Sequence, residues 1–163
     1  MDYMHLLTEA EATFIENQGL FFERFGLPRI GGRVLALLLL AEAPVTLDEV
    51  GATLKVSKAS ASTNLRHLVT MGVVDVVTPL GDRKTYYQWS PRAWERRYDL
   101  VAIIAAAARN TAEQGLAAIG PECVEARSRM EEAIAFADYM AEALVGARQG
   151  WLERLAKIRG EKA

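Results

Sequence analysis

The period of the apolar positions changes twice along the chain. Helical spacing rules the first seventy or so residues, strand-like character follows, and helical spacing returns to the end. Phe14, Phe21 and Phe25 recur with Gln18 at steps of three and four, with Ile15 and Phe22 beside them. Thr8 and Glu11 form a capping box, in which each side chain satisfies a free backbone N–H of the first turn. A first helix therefore runs from Thr8 to a stop at Gly26. Pro28 can open the second, since its missing N–H costs nothing in a first turn. That helix carries the Val34–Leu40 run to about Ala43, and a segment apolar on nearly all sides belongs inside the fold.

Thr46 and Glu49 repeat the capping box before a short helix over 47–54, with Leu47, Val50 and Leu54 on its buried face. After the tight link Lys55–Val56, Ser57 is an N-cap for a helix that reaches about Met71 and ends at Gly72. Val73–Val77 is then β-branched, Pro79, Gly81 and Asp82 supply a turn, and Lys84–Trp89 is aromatic and branched. This predicts a hairpin, or wing. Ser90-Pro91 starts another helix that continues to about Ile119, broken by Gly120-Pro121. The last helix spans about Glu122–Arg159, close to ~60 Å at 1.5 Å per residue. Met130, Ile134, Ala137, Ala141, Leu144, Trp151, Leu155 and Ile158 form a seam along it, interrupted by Arg148. One core cannot cover so long a helix, and a partner subunit is the natural cover.

The pattern predicts a mainly α fold with a small β-hairpin wing, a winged helix-turn-helix plus long helices forming a dimerisation domain. The expected divisions are residues 1–27, an N-terminal helix contributing to dimerisation; residues 28–90, the winged helix-turn-helix; and residues 91–163, a helical dimerisation region. The order helix, short helix, tight turn, helix, hairpin places the second helix of the pair in a DNA major groove. Its buried stripe is Ala61, Leu65 and Leu68. The opposite face carries Lys58, Ala59, Ser62, Thr63 and Arg66, small or hydrogen-bonding groups with two cations, and Ser57–Asn64 holds no acid.

Charge strengthens this picture. The formal net charge is −2, yet residues 55–97 carry eight basic and three acidic side chains, a balance of +5, between two acidic flanks. One basic block gives a polyanion a local landing site, although a charge cluster also serves simply as solvated surface. At the wing tip Arg83 and Lys84 can reach phosphates or a narrow minor groove, with Asp82 either orienting Arg83 or supplying the turn.

The segments FGLPRIGGR (Phe25–Arg33), TLDEVGATLKVSKASASTNLRHL (Thr46–Leu68), MGVV (Met71–Val74) and GDRKTYY (Gly81–Tyr87) resemble the MarR superfamily of winged-helix regulators, its GbsR-like branch in particular. The resemblance covers roughly Phe25–Ser90. It implies a homodimer held by N- and C-terminal helices, with two winged domains reading a pseudo-palindrome in double-stranded DNA. It also implies DNA contacts from Lys58, Ser60, Ser62, Thr63 and Arg66 on the recognition helix. Arg83 would enter the minor groove from the wing, with Lys84 nearby. The activity implied is sequence-specific transcription regulation, as a repressor. The alternative is a winged-helix adaptor that binds an acidic protein surface instead of DNA.

The resemblance also implies, as in some such regulators, a small-molecule pocket between the dimer helices and the winged domain. Phe21, Phe25, Trp89, Trp94 and Tyr98 either line such a pocket, where an aromatic cage would suit a quaternary ammonium ion, or simply pack in the core. No enzyme motif is present: the sequence has no glycine-rich phosphate loop, no HExxH and no metal-spaced cluster. His5 and His67 are far apart, and Cys123 is the one thiol. No catalytic residue, cofactor or metal is expected. Met1–Leu7 has Asp2 and no basic run, and no apolar stretch approaches the ~20 residues of a membrane span. The expected location is the cytoplasm.

Overall fold

The computed structural model describes residues 7–160, which leaves His5 outside the described residues. The described residues form six helices and three short strands, in two compact units that divide between Trp94 and Glu95.

The first unit is built around α2 (Arg29–Leu40), whose Val34, Leu35, Ala36, Leu37 and Leu38 are all buried. α1 (Glu9–Arg24) starts at the Thr8–Glu11 capping box, with the Thr8 N–H donating to Glu11 Oε2 at 2.8 Å. It packs Ile15 and Phe22 onto α2. The two helices meet closely because Gly32 has no side chain: a Cβ there would strike the backbone carbonyl of Gln18. Glu16 adds ion pairs across the crossing to Arg29 at 3.0 Å and Arg33 at 2.8 Å. α2 stops at Leu40 rather than at Ala43, because Ala43 precedes Pro44, whose ring disfavours helical backbone in the residue before it.

β1 (Val45–Thr46) leads into α3 (Leu47–Leu54), capped as expected by Thr46 and Glu49. Lys55 makes the tight link to α4 (Lys58–Thr70) in the left-handed region, at φ 52°. Arg33 reaches this link and donates to the Leu54 carbonyl at 3.0 Å, which satisfies an orphan acceptor at the end of α3. Ser57 caps α4 by accepting from the Ser60 N–H at 3.2 Å. Gly72 closes α4 at φ 72°, with its N–H on Val69 and the next, from Val73, on Leu68. That paired closure is the Schellman arrangement, which spends the Val73 N–H on the helix. Strand β2 accordingly begins at Val74 and runs to Val77.

β3 (Tyr86–Trp89) pairs antiparallel with β2 and also with β1, giving the order β1-β3-β2. It starts at Tyr86 rather than Lys84, because the Lys84 N–H is committed to Asp82. The third strand, β1, has only two residues, and its pairing partner lies some forty positions away. Leu38, Val50, Leu65, Leu68 and Val74 seal the core between α2, α3, α4 and the sheet. Burying each is worth about 1.5–3 kcal/mol.

α5 (Ala93–Ala118) begins two residues after Pro91, since Ser90 first closes a turn in which its carbonyl accepts from Ala93 at 2.9 Å. In the second unit it runs antiparallel to α6 (Val124–Arg159), which opens after a turn closed by the Cys123 N–H on Gly120. Three contacts fix the hairpin. Arg127 donates to the Leu116 and Ile119 carbonyls at the end of α5, Arg109 meets Asp138 at 2.7 Å, and Gly115 leaves room for Met130. The seam read from sequence therefore meets α5 of its own chain over part of its length. Ala137 and Leu155 are buried, and Met130, Ile134, Leu144 and Trp151 are half-buried, whereas Ala141 and Ile158 are exposed.

Candidate nucleic-acid interface

α4 presents two unlike faces. Ala61, Asn64, Leu65 and Leu68 are buried. Lys58, Ala59, Thr63, Arg66, His67 and Thr70 are exposed, with Ser60 and Ser62 half-buried at the border. Asn64 is the polar member of the inner face. It donates from Nδ2 to the Ser60 carbonyl at 2.9 Å, and its Oδ1 lies where Gly31 leaves space. The buried amide thus satisfies its donor within α4 itself.

The outer face holds two cations, Lys58 and Arg66, and no acid. From Lys55 to Val74 there is no acidic residue. Arg66 reaches toward the Thr63 hydroxyl at 3.5 Å, the long end of hydrogen bonding. Lys58 is already engaged: its Nζ lies 2.7 Å from Asp48 Oδ1 in the first turn of α3, with both side chains largely in solvent. Asp48 escaped the sequence reading because the pair spans two helices, and only the angle of the α3–α4 turn brings the groups together.

The wing projects Arg83 and Lys84, both exposed, from the β2–β3 loop. Pro79 and Asp82 close a turn, the Asp82 N–H donating to the Pro79 carbonyl at 3.0 Å, and Gly81 takes the positive φ of 85° that this turn requires. The Asp82 carboxylate accepts from the Lys84 N–H at 2.9 Å and from the Tyr86 hydroxyl at 2.8 Å. It thus serves the turn and the strand. The Lys84 N–H and then the Tyr86 hydroxyl hold the Asp82 carboxyl below its ordinary range, and Asp82 in turn pushes the Tyr86 phenol up. Tyr86 is a second residue that sequence reasoning missed, although it stands in the quoted GDRKTYY run four positions after Asp82.

Phe21 and Phe25 meet at the end of α1 with centroids 5.0 Å apart and planes tilted by 56°, and Trp89 meets Trp94 edge-on at 5.5 Å. Tyr98 belongs to the second unit. Among the described residues no group of three or more His, Cys, Asp or Glu side chains is placed to hold a metal ion, and no helix is long and apolar enough to cross a membrane. Cys123 is exposed.

The chain is similar to known proteins. The MarR family profile matches residues 25–85, which run from the end of α1 to the wing. The chain is 30% identical over 120 residues to the HTH-type transcriptional regulator MmpR5 of Mycobacterium tuberculosis, covering 73% of each protein. It is 29% identical over 84 residues to the HTH-type transcriptional repressor OpcR of Bacillus subtilis, covering 52% of this chain and 45% of that one. The crystal structure of a transcriptional regulator superimposes with a TM-score of 0.82 at 27% identity, covering 88% of this chain and 99% of the other. With the helix-turn-helix, the wing and the basic outer face of α4 in place, the chain belongs to the MarR family of winged-helix, DNA-binding transcriptional regulators.

Proposed function

We propose that the protein is a homodimeric repressor of the GbsR-like branch, acting in the cytoplasm on a pseudo-palindromic operator. The observation that carries this reading is the exposed, acid-free outer face of α4, in the same unit as a wing tipped by two cations. In this reading α4 enters the major groove. Lys58 and Arg66 meet phosphates or guanine edges, while Ser60, Ser62 and Thr63 contact base edges or sugar-phosphate. Arg83 enters the adjacent minor groove and Lys84 neutralises a phosphate beside it.

The repressor assignment is supported by the likeness to OpcR, named a repressor. The dimer is supported by the second unit, where Ile103, Ile104, Phe136, Tyr139 and Val145 all stand exposed. A helical hairpin with that much apolar surface gains by burying it against a second copy. An effector would be sought at the exposed aromatic pair Phe21–Phe25 or at Trp89–Trp94, with Tyr98 as a further candidate.

The test is fluorescence anisotropy on duplex DNA from upstream of the protein's own gene, against an unrelated duplex, over a salt series. Tight binding that prefers the first duplex and weakens steeply with salt is expected, because phosphate contacts release counterions. Absence of binding to both duplexes at low salt would overturn the reading in favour of a protein adaptor.

A further inference from the structure

We infer that Tyr86 is a positioning residue for DNA recognition, acting through Asp82 to fix the direction in which the wing presents Arg83. The inference rests on the DNA-binding reading above and adds to it a residue that touches no DNA.

Eight residues separate the ends of β2 and β3, at Val77 and Tyr86. A loop of that length samples many conformations unless something ties it down. Here three bonds converge on one residue. The Asp82 N–H closes the turn onto Pro79, the Asp82 carboxylate accepts the Lys84 N–H, and it also accepts the Tyr86 hydroxyl. The first two are local to the loop and travel with it. Only the third ties the loop to the sheet, because Tyr86 sits in β3 opposite Thr46 on one side and Val77 on the other. Arg83 stands between Asp82 and Lys84, so its backbone is pinned on both sides and referenced to the sheet. A long, flexible guanidinium side chain gains most from such preorganisation, since less freedom is lost on docking.

The same contact explains how an acid is tolerated beside a polyanion. Asp82 would repel phosphate, but its charge is spent on backbone N–H groups and a phenol. The lowered Asp82 carboxyl and the raised Tyr86 phenol are what such a bond produces.

The experiment uses the full chain and a duplex selected by the wild-type protein from random-sequence DNA, remade with A·T-rich or G·C-rich flanks. Tyr86→Phe keeps the ring and removes only the hydroxyl. It is expected to lose roughly fivefold to tenfold in affinity on A·T flanks, the scale of one ordinary solvent-exposed hydrogen bond. The salt slope should stay unchanged, since no cation is lost. Asp82→Asn should lose as much, and the double variant no more than either. In an Arg83→Ala background, Tyr86→Phe should have no further effect. As an independent signature, the Tyr86 phenol, followed by carbon NMR, should ionise above the ordinary tyrosine range in the wild type and return toward it in Asp82→Asn.

Wild-type affinity for Tyr86→Phe on both flanks would overturn the inference, as would an equal loss with and without Arg83, which would mark Tyr86 as merely structural. Failure of the wild-type protein to select any duplex would instead overturn the DNA-binding reading itself.

Discussion

At Lys58 the protein holds a cation whose partner is supplied from within. Asp48 sits 2.7 Å from it, in solvent, where an ion pair is weak and easily exchanged for phosphate. The exchange leaves the Asp48 carboxylate facing DNA, a penalty paid on every sequence alike. Asp48→Asn keeps the shape and removes that charge. It should raise affinity for the preferred and an unrelated duplex alike, several-fold at low salt, and leave discrimination unchanged. Lys58→Ala should instead weaken both duplexes and reduce the salt slope by about one. Anisotropy on both duplexes over a salt series measures each change. Unchanged binding by Asp48→Asn would remove Asp48 from the DNA-facing surface. The cations of this surface were legible in the sequence, because residue type and helical phase suffice to expose them. The restraints on them were not, since Asp48–Lys58 and Asp82–Tyr86 depend on how one element is angled against the next.

Among the elements, those with local causes were the most legible. The two capping boxes, Thr8 with Glu11 and Thr46 with Glu49, need only residues three apart, and both helices start where those pairs place them. β1 has no such local cause: two residues, Val45 and Thr46, become a strand only because Tyr86 and Tyr87 lie alongside. The helix starts at Ala93 and Val124 also come two residues later than expected, since Pro91 sits in a preceding turn instead of a first helical turn and the turn after Gly120 takes in Glu122. The α1–α2 crossing shows the same dependence on packing. Gly32 reads in sequence as a poor helix residue, yet the structure needs it bare. Gly32→Ala gains about 1 kcal/mol of helix propensity, but its methyl meets a backbone carbonyl that cannot turn aside. Overpacking of this kind costs about 1–3 kcal/mol, and the backbone contact puts it at the upper end. A net loss of about 2 kcal/mol is expected in urea unfolding. A more stable variant would show that α1 can shift along α2.

On the scale of the whole molecule, the second unit leaves much of its apolar surface in water. Phe136, Tyr139 and Val145 lie along one stretch of α6 and are each about two-thirds exposed or more. If a second copy covers them, a charge placed there should separate the subunits while the DNA-binding unit stays folded, because its core lies in residues 15–93. Phe136→Glu combined with Val145→Glu is expected to give a monomer by light scattering at micromolar concentration, with helical content retained. DNA affinity should fall at least tenfold, since one head then holds one half-site. A dimer of unchanged mass would move the subunit interface elsewhere.

The pairing of β1 with β3 sets one further quantity. Thr46 both caps α3 and stands opposite Tyr86, the residue at which the wing returns to the sheet. α3, the helix just before the one proposed to read the groove, and the wing are therefore mounted on one frame. Duplex DNA turns roughly 34° per base pair, at 10–10.5 pairs per turn. A flank displaced by one pair is thus carried around the cylinder as well as along it. Under the proposed reading, the distance in base pairs between the two contacts is a constant of the fold, and each head would work as a ruler that reads helical phase before it reads letters.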